Sequence, residues 1–341
     1  GGVGVALPRS CDSSFLIFMA AATSAGRAVV RRPCPARLEQ RLAALRAAGH
    51  RGLQLIVDFD HTLTRFVRPG SQEKMPMCHD VVERFHRMPE TFRRDYRQIW
   101  DDQANGLAEG SWSMTTWWRR SHELMISHGL REEWIPEMVT SSGLRCRAGC
   151  AELISLARRL GVPVLVVSAG IRELIVEALG REGVDVAQLR VRANGMVFGA
   201  DGCLCGFEEP MVTSDNKHLV GEWEAEYFAR VARPYALVVG DGLKDCEPLV
   251  RLAGLSEAVR LGLFNALSRG SQLQQYEETF DLLLSNEELG PGQDLDLQPV
   301  IDLVLDISGP RRGGSSGSVG IWRLLGQACS CVCAGPCASS P

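Results

Sequence analysis

Apolar positions recur at helical spacing from Leu38 to Ala48 (LEQRLAALRAA), and Gly49 with Gly52 ends that stretch. Leu53 to Val57 (LQLIV) is a short, unbroken apolar run, which reads as a strand buried on both faces. From Gly70 to Gly143 the pattern returns to helical spacing. Val81, Val82 and Phe85 fit one stripe, and Met114, Trp117, Trp118, Leu124 and Met125 fit another, so a mostly helical insertion is predicted there. After Cys146 strand and helix alternate. A helix over 151–160 precedes a strand over 162–167, and a helix over 171–181 follows Ser168-Ala169-Gly170. Asn194-Gly195 and Asp201-Gly202 are turn signals inside 191–207, where hairpins are expected. A helix over 218–232 then leads into a strand over 235–239 and Gly240-Asp241-Gly242. This alternation with apolar strands predicts an α/β fold with a parallel sheet.

Three predicted strands therefore end in polar tips: Asp58-Phe59-Asp60, Ser168-Ala169-Gly170, and Gly240-Asp241 with Asp245 beyond it. In an open α/β sheet ligands bind at such ends. Clustered carboxylates repel one another unless a cation joins them, and an all-oxygen donor set suits Mg²⁺. One carboxylate can attack phosphorus, and a second, two residues on, can exchange protons with the leaving oxygen and with water. The transferred group also needs donors and fixed positive charge. Ser168 and the N–H groups of Ala169 and Gly170, opening a helix, supply donors, and Lys217 is the candidate cation.

Composition narrows the partners. The chain has 341 residues, 45% hydrophobic and 23% charged, with net charge -4, so a footprint for a nucleic-acid polymer is not expected, while a small anionic substrate, which needs only a local positive site and a metal, stays open. No run of ~20 apolar residues is present, so no transmembrane segment is predicted. Twelve cysteines without a CxxC pair read as free thiols of a reducing compartment. Between Ser13 and Arg37 there is no acid and several arginines, so residues 1–37 read as a dispensable leader, either organelle-targeting or upstream of a start at Met19. Residues 309–341 are rich in Gly, Ser and Cys and are expected to be a disordered tail.

DFDHTLTRF (Asp58 to Phe66), SAGI (Ser168 to Ile171), NKH (Asn216 to His218) and GDGLKD (Gly240 to Asp245) together resemble the four ordered motifs of the haloacid-dehalogenase superfamily. Within it they look most like the cytosolic pyrimidine 5'-nucleotidases, over about Leu53 to Asp306. The resemblance implies a Rossmann-like core (38–70 and 144–308) with helices on both faces, and a helical cap (71–143) inserted between the first two motifs. It implies that Asp58 is the nucleophile and a Mg²⁺ ligand, and that Asp60 is the acid–base and ligates through its carbonyl. It further implies that Ser168 and Lys217 hold phosphate, that Asp241 ligates the metal, and that Asp245 braces the ligands from behind. The expected reaction is Mg²⁺-dependent hydrolysis of nucleoside 5'-monophosphates such as CMP or UMP, by a cytoplasmic monomer. Ser121-His122 resembles a cap segment whose serine lies near substrate. The family's base-reading glutamate is missing here; Asp101 or Asp102 stands in its neighbourhood with Trp100 to stack on the base, the alternative being a changed base preference. Other readings are a phosphatase of another small monoester (7-methyl-GMP or a phosphoserine-like compound) and a non-catalytic binding protein that retains the fold.

Overall fold

The computed structural model describes residues 28–109, 113–249 and 252–309. Seven strands form one sheet in the order β1-β9-β8-β7-β2-β3-β4, comprising β1 (Val29–Arg31), β2 (Leu53–Val57), β3 (Val164–Ile171), β4 (Arg190–Asn194), β7 (Tyr235–Gly240), β8 (Glu257–Phe264) and β9 (Leu282–Ser285). All neighbours are parallel except β1, which runs antiparallel along β9. The fold is thus the predicted α/β parallel sheet.

The strands are apolar because both of their faces are covered. In β2, Leu53, Leu55 and Val57 join one core while Ile56 joins the other, and in β7, Leu237 and Val239 oppose Ala236 and Val238 in the same way. Helix α1 (Pro35–Gly52) starts with proline at its first turn and buries Leu38, Leu42 and Leu45. With α6 (Cys150–Arg159) and α12 (Gln298–Ser308) it contributes to the first core. The second core is filled by Tyr227 and Phe228 of α9 (Ala225–Val231), and by Tyr276 of α11 (Leu273–Thr279) with Phe280 just past its end. From β2 the chain runs outward through β3 and β4, then returns to β7 on the other side of β2. That reversal places the crevice at the ends of β2, β3 and β7.

Between β2 and α6 the described residues form four α-helices: α2 (Cys78–Arg84), α3 (Glu90–Glu109), α4 (Met114–Ser127) and α5 (Ile135–Ser142). The predicted stripes are their buried faces, with Val81, Val82 and Phe85 on one side and Trp117, Trp118 and Met125 on the other.

Four expectations are corrected. Residues 29–31, expected to belong to the leader, form β1 on the sheet edge; residues 1–27 and 310–341 lie outside the described residues. The region 191–207 holds one hairpin, β5 (Met196–Phe198) with β6 (Leu204–Phe207), turning at Asp201-Gly202. Asn194-Gly195 is instead where the chain leaves β4, which pairs parallel with β3. The helix expected over 218–232 breaks at Glu224, whose buried carboxylate is 2.7 Å from Arg190 Nη2, giving α8 (Val220–Trp223) and α9.

Candidate active site

Asp58 is the first residue past β2, and its N–H donates to Val239 O at 3.0 Å, so the sheet ladder itself fixes it. The chain then turns through Phe59–Leu63, with His61 in the left-handed region (φ 61°). That costly conformation is over-determined by its surroundings. His61 N–H donates to Thr64 Oγ1 at 2.7 Å, and the buried Arg147 donates to the carbonyls of His61 (2.5 Å) and Thr62 (3.0 Å). Arg147 is itself paired with Asp294 at 2.5 Å. Asp60 Oδ1 accepts from the N–H of Cys78, at the start of α2, at 3.0 Å.

Asp58, Asp241 and Asp245 are buried and offer carboxylate oxygens that all lie within 4.8 Å of one another. Lys217 Nζ bridges two of them, 2.8 Å from Asp58 Oδ1 and 2.7 Å from Asp245 Oδ1. Asp245 Oδ2 accepts from Gly242 N at 2.6 Å. This arrangement needs Gly240, because a Cβ there would sit 2.3 Å from Asp245 Cβ. Asp241 is tied from outside the motif. Its carboxylate lies 3.3 Å from both Asn265 Nδ2 and Arg269 Nη2, and its carbonyl accepts from Tyr276 OH at 2.6 Å.

Burial dominates the electrostatics. It raises Asp58 well above the carboxylate range, helped by the Asp245 charge and opposed by Lys217. It pushes Asp241 up to about 6 against Arg269, and Asp60 up to about 7 against the hydrogen bonds from Cys78. Burial also disfavours charge on Lys217, but the Asp245 and Asp58 carboxylates outweigh it and hold the ammonium above its ordinary pKa. Desolvated, mutually repelling carboxylates of this kind are stabilised by a cation bound among them, and the donor set is all oxygen. The residues therefore fit a hard divalent ion.

Ser168 is buried in β3, and its Oγ accepts from Gly170 N at 3.0 Å, curling the strand tip toward the carboxylates. Gly170 lies against α2, where a Cβ would meet Cys78 Sγ at 2.7 Å and Asp60 Oδ2 at 3.0 Å. Asp58, Asp60, Ser168, Ala169, Gly170, Lys217, Asp241 and Asp245 all line one cleft of about 460 Å³. Its far wall is aromatic: His79 from α2, Trp100 from α3, and Trp117 and Trp118 from α4.

Of the predicted base-side residues, only Trp100 lines this cleft, exposed to 40% and tilted against Trp117 with ring centroids 4.7 Å apart. Ser121 is fully buried within α4, and Asp101 is exposed on α3; neither lines the cleft. Asp102 is occupied by Arg120 at 2.6 Å and Gln98 at 2.8 Å. Sequence reasoning missed Arg147, Asp294, Asn265, Arg269 and Tyr276, which lie outside every motif and act on motif residues across the fold. It also missed Cys78, whose only signal is its place at the start of the insertion.

Known proteins resemble this chain in family and in fold. A model of the pyrimidine 5'-nucleotidase (UMPH-1) family matches residues 61–292, more than half of the chain. The 7-methylguanosine phosphate-specific 5'-nucleotidase A of Xenopus laevis is 25% identical over 272 residues, covering 77% of this chain and 92% of that protein. The 7-methylguanosine phosphate-specific 5'-nucleotidase of Drosophila melanogaster is 27% identical over 264 residues, covering 74% and 82%. Among solved structures, cytosolic 5'-nucleotidase IIIB bound to cytidine shares the fold, with a TM-score of 0.68 at 24% identity over 82% of this chain and 92% of that one. The chain belongs to the pyrimidine 5'-nucleotidase (UMPH-1) family and is a hydrolase of the 5'-nucleotidase type.

Proposed function

We propose that this chain hydrolyses nucleoside 5'-monophosphates to nucleoside and phosphate through an aspartyl-phosphate on Asp58, with Mg²⁺ as its metal. The observation that carries the proposal is the convergence of Asp58, Asp60, Lys217, Asp241 and Asp245 on one cleft. Asp58, Asp241 and the Asp60 carbonyl would hold the ion, and Asp245 would brace them while holding Lys217. Once bound, the ion neutralises phosphate charge and keeps the carboxylates ionised.

Asp58 attacks phosphorus and the bond to the ribose O5' breaks. Asp60, protonated in a substantial fraction near neutral pH because burial lifts it to about 7, delivers its proton to O5'. It then takes a proton from the water that attacks the phosphorylated Asp58, releasing phosphate and restoring both carboxyl groups. Ser168, the Ala169 and Gly170 amides and Lys217 hold the phosphoryl oxygens. The helices over 71–143 act as a cap that closes the cleft, with Trp100 offering a face to the base.

A second reading of the substrate, 7-methyl-GMP, is favoured by the indole-rich wall. A cationic purine stacks more strongly on indole than a neutral pyrimidine does, and the relatives from Xenopus and Drosophila carry that specificity in their names. Phosphate release from CMP, UMP, AMP, 7-methyl-GMP and phosphoserine, each with Mg²⁺ or EDTA, separates these readings. Release from a nucleotide that EDTA stops is expected. Release from phosphoserine alone, or undiminished release in EDTA, would remove the proposal.

A further inference from the structure

The carbonyl of Ala169, in the middle of the Ser168–Gly170 tip, accepts two side-chain hydrogen bonds from separate parts of the molecule. Trp118 Nε1, on α4 of the insertion, donates at 2.8 Å, and Asn194 Nδ2, the last residue of β4, donates at 2.9 Å. Asn194 reaches further. Its amide nitrogen lies 3.2 Å from Gly170 O and 2.8 Å from Val212 O, and its Oδ1 accepts from Val212 N at 2.8 Å. Val212 leads into Thr213, whose N–H donates to Asn216 Oδ1 at 2.7 Å, immediately before Lys217. Both Asn194 (1% exposed) and Val212 (0% exposed) are buried, so these bonds are made away from competing water.

We infer that Asn194 and Trp118 are positioning residues for phosphoryl transfer. Together they set the Ala169–Gly170 backbone relative to Lys217 and to the insertion. The logic is geometric. The Ser168 tip is irregular, with the register against β4 shifting between Val167 and Ile171, so the sheet ladder alone does not define where its N–H groups point. Donors aimed at a transferring phosphoryl group contribute only when held within a few tenths of an ångström of where its oxygens will be. Asn194 joins the two phosphate-side segments of the core by one amide, using donor and acceptor at once. Trp118 adds the insertion to the same point, so its indole N–H is committed to the phosphate side even though its ring lines the aromatic wall.

This inference rests on the phosphatase reading and makes a demand that base stacking does not. Trp118→Phe keeps an aromatic ring and removes the donor; Asn194→Asp keeps the shape and sets a carboxylate against three carbonyls. Activity is measured on CMP and on ribose 5-phosphate, which has no base. Affinity for inorganic phosphate with Mg²⁺ is measured by calorimetry, and the thermal midpoint is recorded for each variant. Trp118→Phe should lower kcat/KM by about tenfold or more, by the same factor on both esters, and should weaken phosphate binding about tenfold. Asn194→Asp should show the same pattern with a larger loss; should it not fold, Trp118→Phe alone decides. A loss confined to CMP, or an unchanged phosphate affinity, overturns the inference. A wild-type protein that turns over neither ester nor 7-methyl-GMP, with phosphate affinity lost in Trp118→Phe, leaves the positioning of the phosphate side standing and removes the catalytic reading beneath it.

Discussion

The two walls of the cleft are built on different principles. On the phosphate side each charged group has a named partner. Lys217 bridges Asp58 and Asp245, Asp245 takes the Gly242 amide, and Asp241 is held by Tyr276 and Arg269. On the aromatic side rings lie on rings, His79 against Trp117 at 5.1 Å and Trp100 against Trp117 at 4.7 Å, and among the described residues the Trp118 bond to Ala169 is the anchoring contact named above. Phosphoryl transfer needs charges at fixed points, whereas stacking needs area and a polarisable face. One wall therefore tolerates almost no change, and the other, Trp118 apart, tolerates a good deal.

Mutations can break that contrast. Asp58→Asn should have the largest effect, lowering kcat by about 10⁴-fold or more with a native thermal midpoint, since in the proposed mechanism Asp58 attacks phosphorus as part of a unit. A variant that kept wild-type turnover in a phosphate-release assay would remove the phosphate wall's defining residue. Lys217→Met should cost about 10²–10³-fold in kcat. It should also destabilise the fold less than removal of an ordinary buried cation, because the carboxylates it leaves can bind a divalent ion. Calorimetric unfolding with and without Mg²⁺ reads that rescue. Trp100→Ala, on the tolerant wall, should raise KM for nucleotides about tenfold and leave kcat within a few-fold. An equal fall in kcat would mean that the walls are not separable.

The smallest effect concerns protons. His122 stacks on Phe207 with centroids 3.7 Å apart, and burial lowers its pKa to about 2; burial likewise lowers His79 to about 4. Both are neutral when folded, while the unfolded chain protonates near 6.5. Their contribution is fully present above pH 6.5 and is lost as pH falls below it, by up to about 1.4 kcal/mol per pH unit for each histidine. Between pH 6.5 and 5, His122→Asn should therefore show a shallower loss of stability than wild type. Parallel slopes in thermal melts at stepped pH would exclude this contribution.

The same contrast explains what could be read from sequence. Asp58, Ser168 and Asp241 are legible because strand ends are marked by apolar runs, and the chemistry at those ends admits few residue types; Lys217 follows no strand and is legible through Asn216-Lys217-His218. Ser121 and Asp101 rest on likeness to a segment whose register on a helix decides everything. One residue along a helix turns a side chain through about 100°, enough to move it from cleft to core or to solvent. Asn194-Gly195 looked like a hairpin turn because local signals say nothing about a parallel neighbour far away in sequence. β8 is hard to read in the sequence because Arg260 and Gly262 interrupt its apolar run. That glycine is required where Leu283 packs closely, its would-be Cβ lying 2.5 Å from Leu283 Cδ2.

The short strand Val29–Arg31 has a practical bearing on how the protein is handled. It pairs with β9 through Val29↔Ser285, Val30↔Leu284 and Arg31↔Leu283. Without it, β9 would present a row of unpaired amides and carbonyls beside Leu282, Leu283 and Leu284, which is a template for association between molecules. A shortened version that begins at Pro35 keeps every residue of the cleft and loses this shield. Any trimming that spares Val29–Arg31 keeps β9 paired.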